Sequence, residues 1–324
     1  VDAIELFNPT GAEADLGGWF LTDDPGVPWK FRIPPGTKLA AGGFRVFDET
    51  QFNADTNDVN SFSLSSRGER VYLFSGDAQT NLTGYSHAFS FGPAAAGVTF
   101  GRYVNSVGEE HFPAQTAPSL GRANAGPRVG PVVINEIHYH PAPGGDEFVE
   151  IKNITPAPAA LFDPAHPANT WRLAGLGYSF PTNLVLEPDG LLLLVAGSPA
   201  EFRQKYQVPA RVPVLGPFAG ALQDSGERLR FELPGPPDTN GIPYITVEEL
   251  RYNDKAPWPR AADGAGPSLQ RIQAAAYADD PANWEAAPPT PGRENPAADA
   301  DGDGLPDVWE QAHGTRPGVN DAEA

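Results

Sequence analysis

The chain contains no cysteine and no methionine. The absence of cysteine excludes disulfide bonds, thiolate metal sites and a cysteine nucleophile. It does not exclude secretion, because many bacterial surface proteins carry no cysteine. Position 1 is valine rather than methionine. We therefore interpret the chain as a mature, trimmed or incomplete polypeptide from which any signal peptide has been removed.

Basic residues and long apolar runs are also scarce. The chain has 22 Lys and Arg against 41 Asp and Glu, which gives a net charge of −19. An acidic surface repels phosphate backbones and anionic lipids, so we expect neither nucleic acid nor a membrane surface as a partner. The longest apolar run is Leu191–Ala196. A membrane-spanning helix needs about 20 apolar residues, so we predict no membrane span.

Glycine and proline are abundant, at 35 and 36 residues. So many helix breakers exclude long helices and favour short strands joined by structured loops. The chain of 324 residues is 40% apolar, which is enough for a hydrophobic core in each of two domains. The composition therefore predicts an all-β protein of ordinary globular packing.

One order of features occurs twice along the chain, with only the loop lengths differing. Each copy has a short helix signal, at Asp48 in the first and at the capping box Ser198–Glu201 in the second. Matched stretches are Ile4–Asn8 with Val149–Asn153, Phe44–Phe47 with Leu191–Val195, and Ser119–Asn124 with Thr290–Asn295. This pattern predicts a duplicated β-sandwich domain.

The two copies differ at their beginning. In the second copy, the strands predicted at Val132–Ile137 and Phe148–Ile151 flank the turn-rich segment Pro141–Asp146. The first copy has a counterpart only of the second strand, Ile4–Asn8. We predict domains at 1–124 and 131–295, a linker at 125–130, and a tail at 296–324. The first domain is predicted to lack its first strand.

The stretches Ile4–Asp24, Val132–Asn153 and Tyr252–Ile272 resemble bacterial lamin tail domains. The resemblance covers residues 1–124 and 131–295. It implies two tandem immunoglobulin-like β-sandwiches in a non-enzymatic module of secreted or surface-attached bacterial proteins. It supplies no catalytic residues.

The tail contains a 12-residue pattern typical of calcium loops, from Asp299 to Glu310. Calcium binds six to eight oxygen atoms, and alternating carboxylates followed by glycine bring those oxygens to one point. The predicted Ca²⁺ ligands are Asp299, Asp301, Asp303, Leu305 through its carbonyl, Asp307 and Glu310. The loop resembles those of dockerins and thrombospondin type 3 repeats. The alternative is an acidic, disordered tail.

Other candidate sites are weaker. His138 and His140 are spaced for one face of a strand, but no third metal ligand is fixed by spacing. Glu5, Glu136, Glu147 and Glu150 lie on alternating strands, which predicts a solvated face rather than a catalytic carboxylate pair. Trp19 and Trp171 occupy matching positions and are predicted to be core residues. The predicted exposed, candidate glycan-binding residues are Trp29, Trp258 and Trp284.

These features favour a non-enzymatic structural or adhesive protein, secreted or located at the bacterial cell surface. The missing strand predicts self-association, because an open sheet edge offers unpaired backbone groups to another chain. Strand donation or end-to-end packing would then build a fibre, sheath or layer stabilised by Ca²⁺. The alternative is a carbohydrate-binding or surface-attachment module of a larger secreted enzyme.

Overall fold

The computed structural model describes residues 1–296, and short β-strands dominate this part of the chain. The prediction of an all-β protein is confirmed at that level. The chain forms two compact units. Unit 1 comprises Val1–Arg128 with Gly235–Thr246, and unit 2 comprises Val129–Pro234 with the described residues that follow Thr246. None of the helices within residues 1–296 is long and apolar enough to cross a membrane.

Unit 1 is organised around an antiparallel sheet of four strands in the order β4-β3-β7-β8, accompanied by the antiparallel pairs β1–β6, β2–β5 and β9–β10. The strands are β1 (Ala3–Phe7), β2 (Ala14–Asp15), β3 (Phe20–Thr22), β4 (Phe31–Arg32), β5 (Lys38–Leu39), β6 (Phe44–Asp48), β7 (Glu69–Gly76), β8 (Leu82–Phe91), β9 (Tyr103–Val104) and β10 (Glu110–His111).

The core of unit 1 is a single cluster of buried apolar side chains. Strands place alternate residues on one face, so several short strands can each contribute one or two side chains to the cluster. Its members are Ile4, Leu16, Leu21, Ile33, Leu39, Phe47, Phe52, Phe62 and Val71. The half-buried Trp19 packs against it, in agreement with its predicted core role.

Unit 2 contains an antiparallel sheet in the order β17-β16-β21-β22, a mixed sheet in the order β20-β19-β12-β11-β23-β24, and two strand pairs, β13–β18 and β14–β15. The strands are β11 (Val132–His138), β12 (Phe148–Asn153), β13 (Ala159–Ala160), β14 (Phe162–Asp163), β15 (His166–Thr170), β16 (Arg172–Ala174), β17 (Tyr178–Ser179), β18 (Val185–Leu186), β19 (Leu191–Val195), β20 (Val214–Leu215), β21 (Arg228–Pro234), β22 (Tyr244–Arg251), β23 (Ser268–Arg271) and β24 (Trp284–Ala287).

Helices are few and short in both units, as the glycine and proline content predicts. They are α1 (Glu49–Phe52), α2 (Pro199–Tyr206) and the 3₁₀ turns Arg260–Ala262 and Pro281–Asn283. Asp48 and Gln51 form a capping box at the start of α1. The Ser198 side chain accepts a hydrogen bond from the Glu201 amide at the start of α2. Both predicted short helices are therefore confirmed.

The central strands of the six-stranded sheet in unit 2 are covered on both faces. One face packs in the main core, which includes Ile134, Ile151 and Leu192. The other face packs in a second cluster, which includes Phe148 and Phe202. The predicted solvated face is therefore wrong for two residues of these strands. Glu136 and Glu150 are both 0% exposed.

The compact units do not follow the predicted continuous domains, which were 1–124 and 131–295. Gly235–Thr246, which comprises the connection between β21 and β22 and the first residues of β22, belongs to unit 1. Within unit 1, Arg67 binds this segment through Nε to a carboxylate oxygen of Asp238 at 2.9 Å and through Nη2 to the Gly241 carbonyl at 2.7 Å.

The predicted linker 125–130 begins as a bonded strand-like segment rather than a free connection. The Arg128 amide donates to the Ala114 carbonyl at 2.7 Å, and the Thr116 amide donates to the Gly126 carbonyl at 3.0 Å. These bonds account for the placement of residues up to Arg128 in unit 1.

Candidate functional site

The predicted calcium ligands lie outside the described residues. Asp299, Asp301, Asp303, Leu305, Asp307 and Glu310 therefore remain a predicted Ca²⁺ site. Over residues 1–296, no three His, Asp or Glu side chains are grouped to hold a metal ion. The His138 ring contacts the carbonyls of Asp146 and Gly266, each at 3.1 Å. His140 instead pairs with Asp263 at 2.6 Å, so the two histidines have separate partners.

The three candidate glycan-binding tryptophans lie in different environments. Trp258 and Trp284 are only 7% and 3% exposed and pack against each other, with ring centroids 6.1 Å apart. Their predicted exposure is wrong, because both rings belong to the main core of unit 2. Trp29 is 49% exposed and borders a shallow depression of about 410 Å³ with Phe20, Arg32 and Thr80. Glycan binding at Trp29 stays a prediction.

A buried polar cluster is centred on β11, within the six-stranded sheet of unit 2. A β-bulge between Ile134 and Glu136 brings Asn135 and Glu136 to the same partner region on β12. The Asn135 amide donates to Glu150 at 2.9 Å. Glu136 accepts hydrogen bonds from the Ser268 hydroxyl at 2.5 Å and from the Thr290 amide at 3.0 Å.

The two buried carboxyl groups of this cluster hold their protons more tightly than free glutamates. Burial raises the pKa of Glu136 to about 7. Burial, and then the charge of Glu136, raises the pKa of Glu150 to about 8. Both shifts arise because a charged carboxylate loses its hydration inside the protein.

The segment Thr290–Asn295, which we call the second bridging loop, holds β12 and β23 at a fixed separation across β11. At one side, the Gly292 amide donates to Glu150 of β12 at 2.7 Å. At the other side, the Asn295 amide group donates to the Arg271 carbonyl of β23 at 3.1 Å. The same Asn295 group also donates to the Asn135 carbonyl of β11 at 3.0 Å.

Unit 1 repeats this arrangement with its own bridging loop, Ser119–Asn124, which we call the first bridging loop. The Gly121 amide donates to Glu5 of β1, as Gly292 does to Glu150. The Asn124 amide group donates to the Arg102 carbonyl at 3.0 Å, as Asn295 does to that of Arg271. Burial raises the pKa of Glu5 above its ordinary value, as it does at Glu150.

A second set of contacts is also the same in the two units. The Asn8 side chain donates to the carbonyls of Ala12, Leu39 and Ala40 at 2.8, 3.0 and 3.1 Å. The Asn153 side chain donates to the carbonyls of Ala157, Leu186 and Glu187 at the same three distances. The sequence match between Ile4–Asn8 and Val149–Asn153 therefore corresponds to equivalent positions in the two units.

Unit 1 has no counterpart of β11 among the described residues. β1 pairs with β6 and with no second strand in residues 1–296, whereas β12 pairs with both β19 and β11. The backbone groups of Asp2 and Asn8 bond toward the β6 side. In an antiparallel pair, every second residue of a strand directs its amide and carbonyl toward the partner strand, and the residues between them direct theirs away from it. We call these outward groups, on Ala3, Glu5 and Phe7, the acceptor edge.

One buried hydroxyl of unit 1, at a position where the equivalent residue of unit 2 contacts β11, has no hydrogen-bond partner. It is Oγ1 of Thr99. Phe100 bridges to Ala114 as Leu269 pairs with Ala286, so Thr99 corresponds to Ser268. Ser268 donates its hydroxyl to Glu136 of β11. The unpaired Thr99 hydroxyl therefore lies where unit 2 uses a hydroxyl to hold the inserted strand.

Comparisons with family models, with curated proteins and with solved structures give no match for this chain. The resemblances to lamin tail domains and to dockerin or thrombospondin type 3 loops therefore stay predictions. The same holds for the tandem immunoglobulin-like sandwich as the detailed form of the all-β fold.

Proposed function

We propose that this chain is a non-enzymatic structural or adhesive protein of the bacterial exterior, joined to neighbouring subunits through the acceptor edge. The supporting observation is that β1 presents backbone donors and acceptors without a neighbouring strand in residues 1–296. Strand addition at such an edge satisfies these groups and is a common mode of protein association. Head-to-tail contacts of this kind build open fibres or layers when the rotation between subunits does not close.

The second part of the proposal concerns calcium. The predicted ligands in Asp299–Glu310 would bind one Ca²⁺ ion through carboxylate oxygens and the Leu305 carbonyl. The net charge of −19 opposes close packing of subunits, and divalent cations in the medium reduce this repulsion by screening it as well as by binding. We therefore propose that millimolar Ca²⁺, typical of an extracellular medium, favours assembly.

Assembly should depend on the outward amide of Phe7. The Phe7→Pro variant removes this donor while the bonds to β6, carried by Ile4, Leu6 and Asn8, remain. We expect the wild-type chain in millimolar Ca²⁺ to form assemblies detectable by light scattering and electron microscopy. Phe7→Pro should lower the assembled fraction about tenfold. The measurement is repeated with EDTA to separate the contribution of Ca²⁺.

The matched control is Val59→Pro, which replaces another exposed apolar residue in a loop of unit 1. This variant should assemble like the wild type, and circular dichroism should show that both variants are folded. A wild-type chain that stays monomeric in Ca²⁺ at high concentration contradicts the proposed function.

A specific feature supports carbohydrate binding as the second candidate function. The exposed Trp29 ring borders the depression that contains Arg32. Arg32 donates through Nη2 to the carbonyls of Asp77 and Ala78, but its buried Nε has no partner. An exposed aromatic face that borders a depression suits a sugar ring that stacks on it.

Glycan binding, if this candidate is correct, should disappear with the Trp29 ring. Trp29→Ala should weaken binding on a glycan array about tenfold or more, because stacking area and water exclusion are both lost. Tyr85→Ala removes another exposed aromatic side chain of the same unit and serves as the control. Equal binding by wild type and Trp29→Ala would remove this candidate.

A further inference from the structure

The four-stranded sheets of the two units can be matched residue by residue. The Trp19 carbonyl accepts from the Ile33 amide in unit 1, as the Trp171 carbonyl accepts from the Phe180 amide in unit 2, at 2.8 and 2.9 Å. β3 therefore corresponds to β16, β4 to β17 and β7 to β21, and the cross-strand pairs keep the same register. The residues that alternate with the core residues of these strands form the outward face of each sheet.

In unit 2 this outward face is a network of charges. Glu232 pairs with Arg172 at 2.5 Å and with Arg230 at 3.3 Å. Arg228 pairs with Glu249 of β22 at 3.2 Å. The three arginine side chains are between 39% and 55% exposed. The face therefore has the chemistry of an ordinary protein surface in contact with water.

In unit 1 the same positions are aromatic. The residues that replace Arg172, Arg230 and Glu232 are, in that order, Phe20, Tyr72 and Phe74. Phe20 is buried, whereas Tyr72 and Phe74 are half-buried, with 7° between the planes of their rings and 6.0 Å between the centroids. Phe20 also lines the depression beside Trp29, which is 49% exposed. We call Trp29, Tyr72 and Phe74 the aromatic face.

Strand β8 can be matched to β22 through a close contact that both units share. The carbonyl of Phe91, the last residue of β8, lies against Gly68. The carbonyl of Tyr252, directly after β22, lies against Gly226 in the same way. The residues three positions before these two carbonyls are Ala88 in unit 1 and Glu249 in unit 2.

Unit 1 keeps one arginine of the network but lacks its acidic partner. Arg70 corresponds to Arg228, because each lies two residues after the matched glycine. Its guanidinium lies 5.2 Å from the centre of the Tyr72 ring, and within residues 1–296 it forms no ion pair. The place of the Glu249 carboxylate is taken by the methyl group of Ala88. A carboxylate from outside the chain can therefore pair with Arg70, as Glu249 pairs with Arg228.

The charge beside the aromatic face suits such a ligand although the whole chain carries −19. The strand residues that pair with Phe20, Arg70, Tyr72 and Phe74 on this face include no Asp or Glu. They are Arg32, Ser90, Thr22, Ala88 and Ser86. At physiological ionic strength, exposed charges more than about 8 Å away are largely screened. The nearby arginine therefore outweighs the distant acidic residues.

We propose that the aromatic face binds an acidic polysaccharide, with sugar rings stacked on Trp29 and Tyr72 and a uronate carboxylate paired with Arg70. The inference rests on the second candidate function, carbohydrate binding at Trp29, and specifies the class of glycan. A polypeptide fits less well, because the backbone groups of a sheet lie in its plane and cannot pair with a chain that crosses its face. A polysaccharide stacks its C–H groups on the rings and keeps its hydroxyl groups in water.

Uronate polymers and a neutral matched polymer test this inference. Polygalacturonate, alginate and hyaluronate are titrated into the full chain by calorimetry at 0.15 M salt. EDTA is present so that Ca²⁺ neither gels the polymers nor promotes assembly. We expect saturable binding of at least one uronate polymer. Its methyl ester, which has the same sugar rings without the charge, should bind about tenfold more weakly.

Protein variants place the binding on unit 1. Ala88→Glu restores the carboxylate that unit 2 has at this position, and Arg70→Gln removes the cation. Each should weaken uronate binding about tenfold and leave the weaker binding of the methyl ester unchanged. Glu249→Ala is the matched control, because it frees Arg228 on a face without aromatic rings, and it should leave uronate affinity unchanged. Circular dichroism checks that all variants are folded.

The outcomes separate the inference from the functions proposed above. Equal binding of uronate polymer and methyl ester, lost in Trp29→Ala, supports the second candidate function and overturns the inference. Uronate binding that neither Ala88→Glu nor Arg70→Gln weakens also overturns it, as does polyglutamate that binds as tightly as the uronate polymer. Dimers that dissociate in Ala88→Glu identify a second copy as the occupant and overturn it too. Binding of no polymer removes both glycan proposals, and assembly in Ca²⁺ is measured independently of them.

Discussion

Replacing Arg271 with methionine should lower the free energy of unfolding of unit 2 by about 3–5 kcal/mol. The guanidinium group is 0% exposed and donates to Glu248 at 2.7 Å, to the Ile134 carbonyl at 3.0 Å and to the Ala276 carbonyl at 2.5 Å. Methionine fills much of the volume but leaves the Glu248 charge buried without a cation. Denaturant unfolding measured by tryptophan fluorescence gives the change, because the Trp284 ring lies 5.9 Å from the Arg271 guanidinium.

The duplication supplies the control for this change. Arg102 is the matching residue of unit 1, and it pairs with Glu110 in a partly exposed site, where the Arg102 side chain is 36% exposed. Arg102→Met should cost only about 0–1 kcal/mol. Adding Glu248→Gln to Arg271→Met should restore part of the stability, because the buried charge disappears while the amide oxygen still accepts from the Ile134 amide. Equal losses for the two arginine variants would contradict this account.

Unit 2 should lose stability as the pH rises from about 5 to about 8. The folded-state pKa of Glu136 is raised to about 7 and that of Glu150 to about 8, both from 4.5. Between these pH values the folded unit still holds protons that the unfolded chain has released. The stability that these two carboxyl groups contribute is therefore fully present below pH 4.5 and is lost as the pH rises to about 8. One pKa unit corresponds to about 1.4 kcal/mol, so Glu136 alone accounts for about 3 kcal/mol. Urea unfolding at several pH values measures the slope.

Glu136→Gln isolates the effect of the pair from all other titrations. The glutamine oxygen can still accept from Ser268 and the Thr290 amide, and its amino group can donate to the Thr290 hydroxyl. This variant should gain stability relative to the wild type as the pH rises from 5 to 8. It should also lower the pKa of Glu150, because a neighbouring charge is removed. A pH-independent difference between variant and wild type would contradict the buried pair as the cause.

The repeat and its local structure could be predicted from the sequence because they depend on residues close in the chain. Asn8 and Asn153 each follow a short strand in matching positions. The helix start at Ser198 depends on residues three positions away, and so does the capping box at Asp48. Signals of this kind keep their spacing when loops elsewhere change length.

Burial could not be predicted at the sites that matter most, because it depends on distant residues. Alternation along β11 and β12 separates two faces of a sheet but does not show whether both faces are covered. The five consecutive apolar residues of β19 were the available signal, since such runs are typical of strands buried on both sides. Trp258 was wrongly predicted to be exposed, and Arg271 was not singled out, for the same reason: their buried environments come from residues far along the chain.

The place of Gly235–Thr246 in unit 1 has a consequence for inheritance and for proteolysis. A polypeptide ending at Arg128 would separate Arg67 from Asp238, so the leading copy would be incomplete. Gene recombination that breaks between the two repeats should therefore yield defective products. A protease that cuts near Arg128 should not release the two repeats as independent folded domains. We also expect the two repeats to be inherited together.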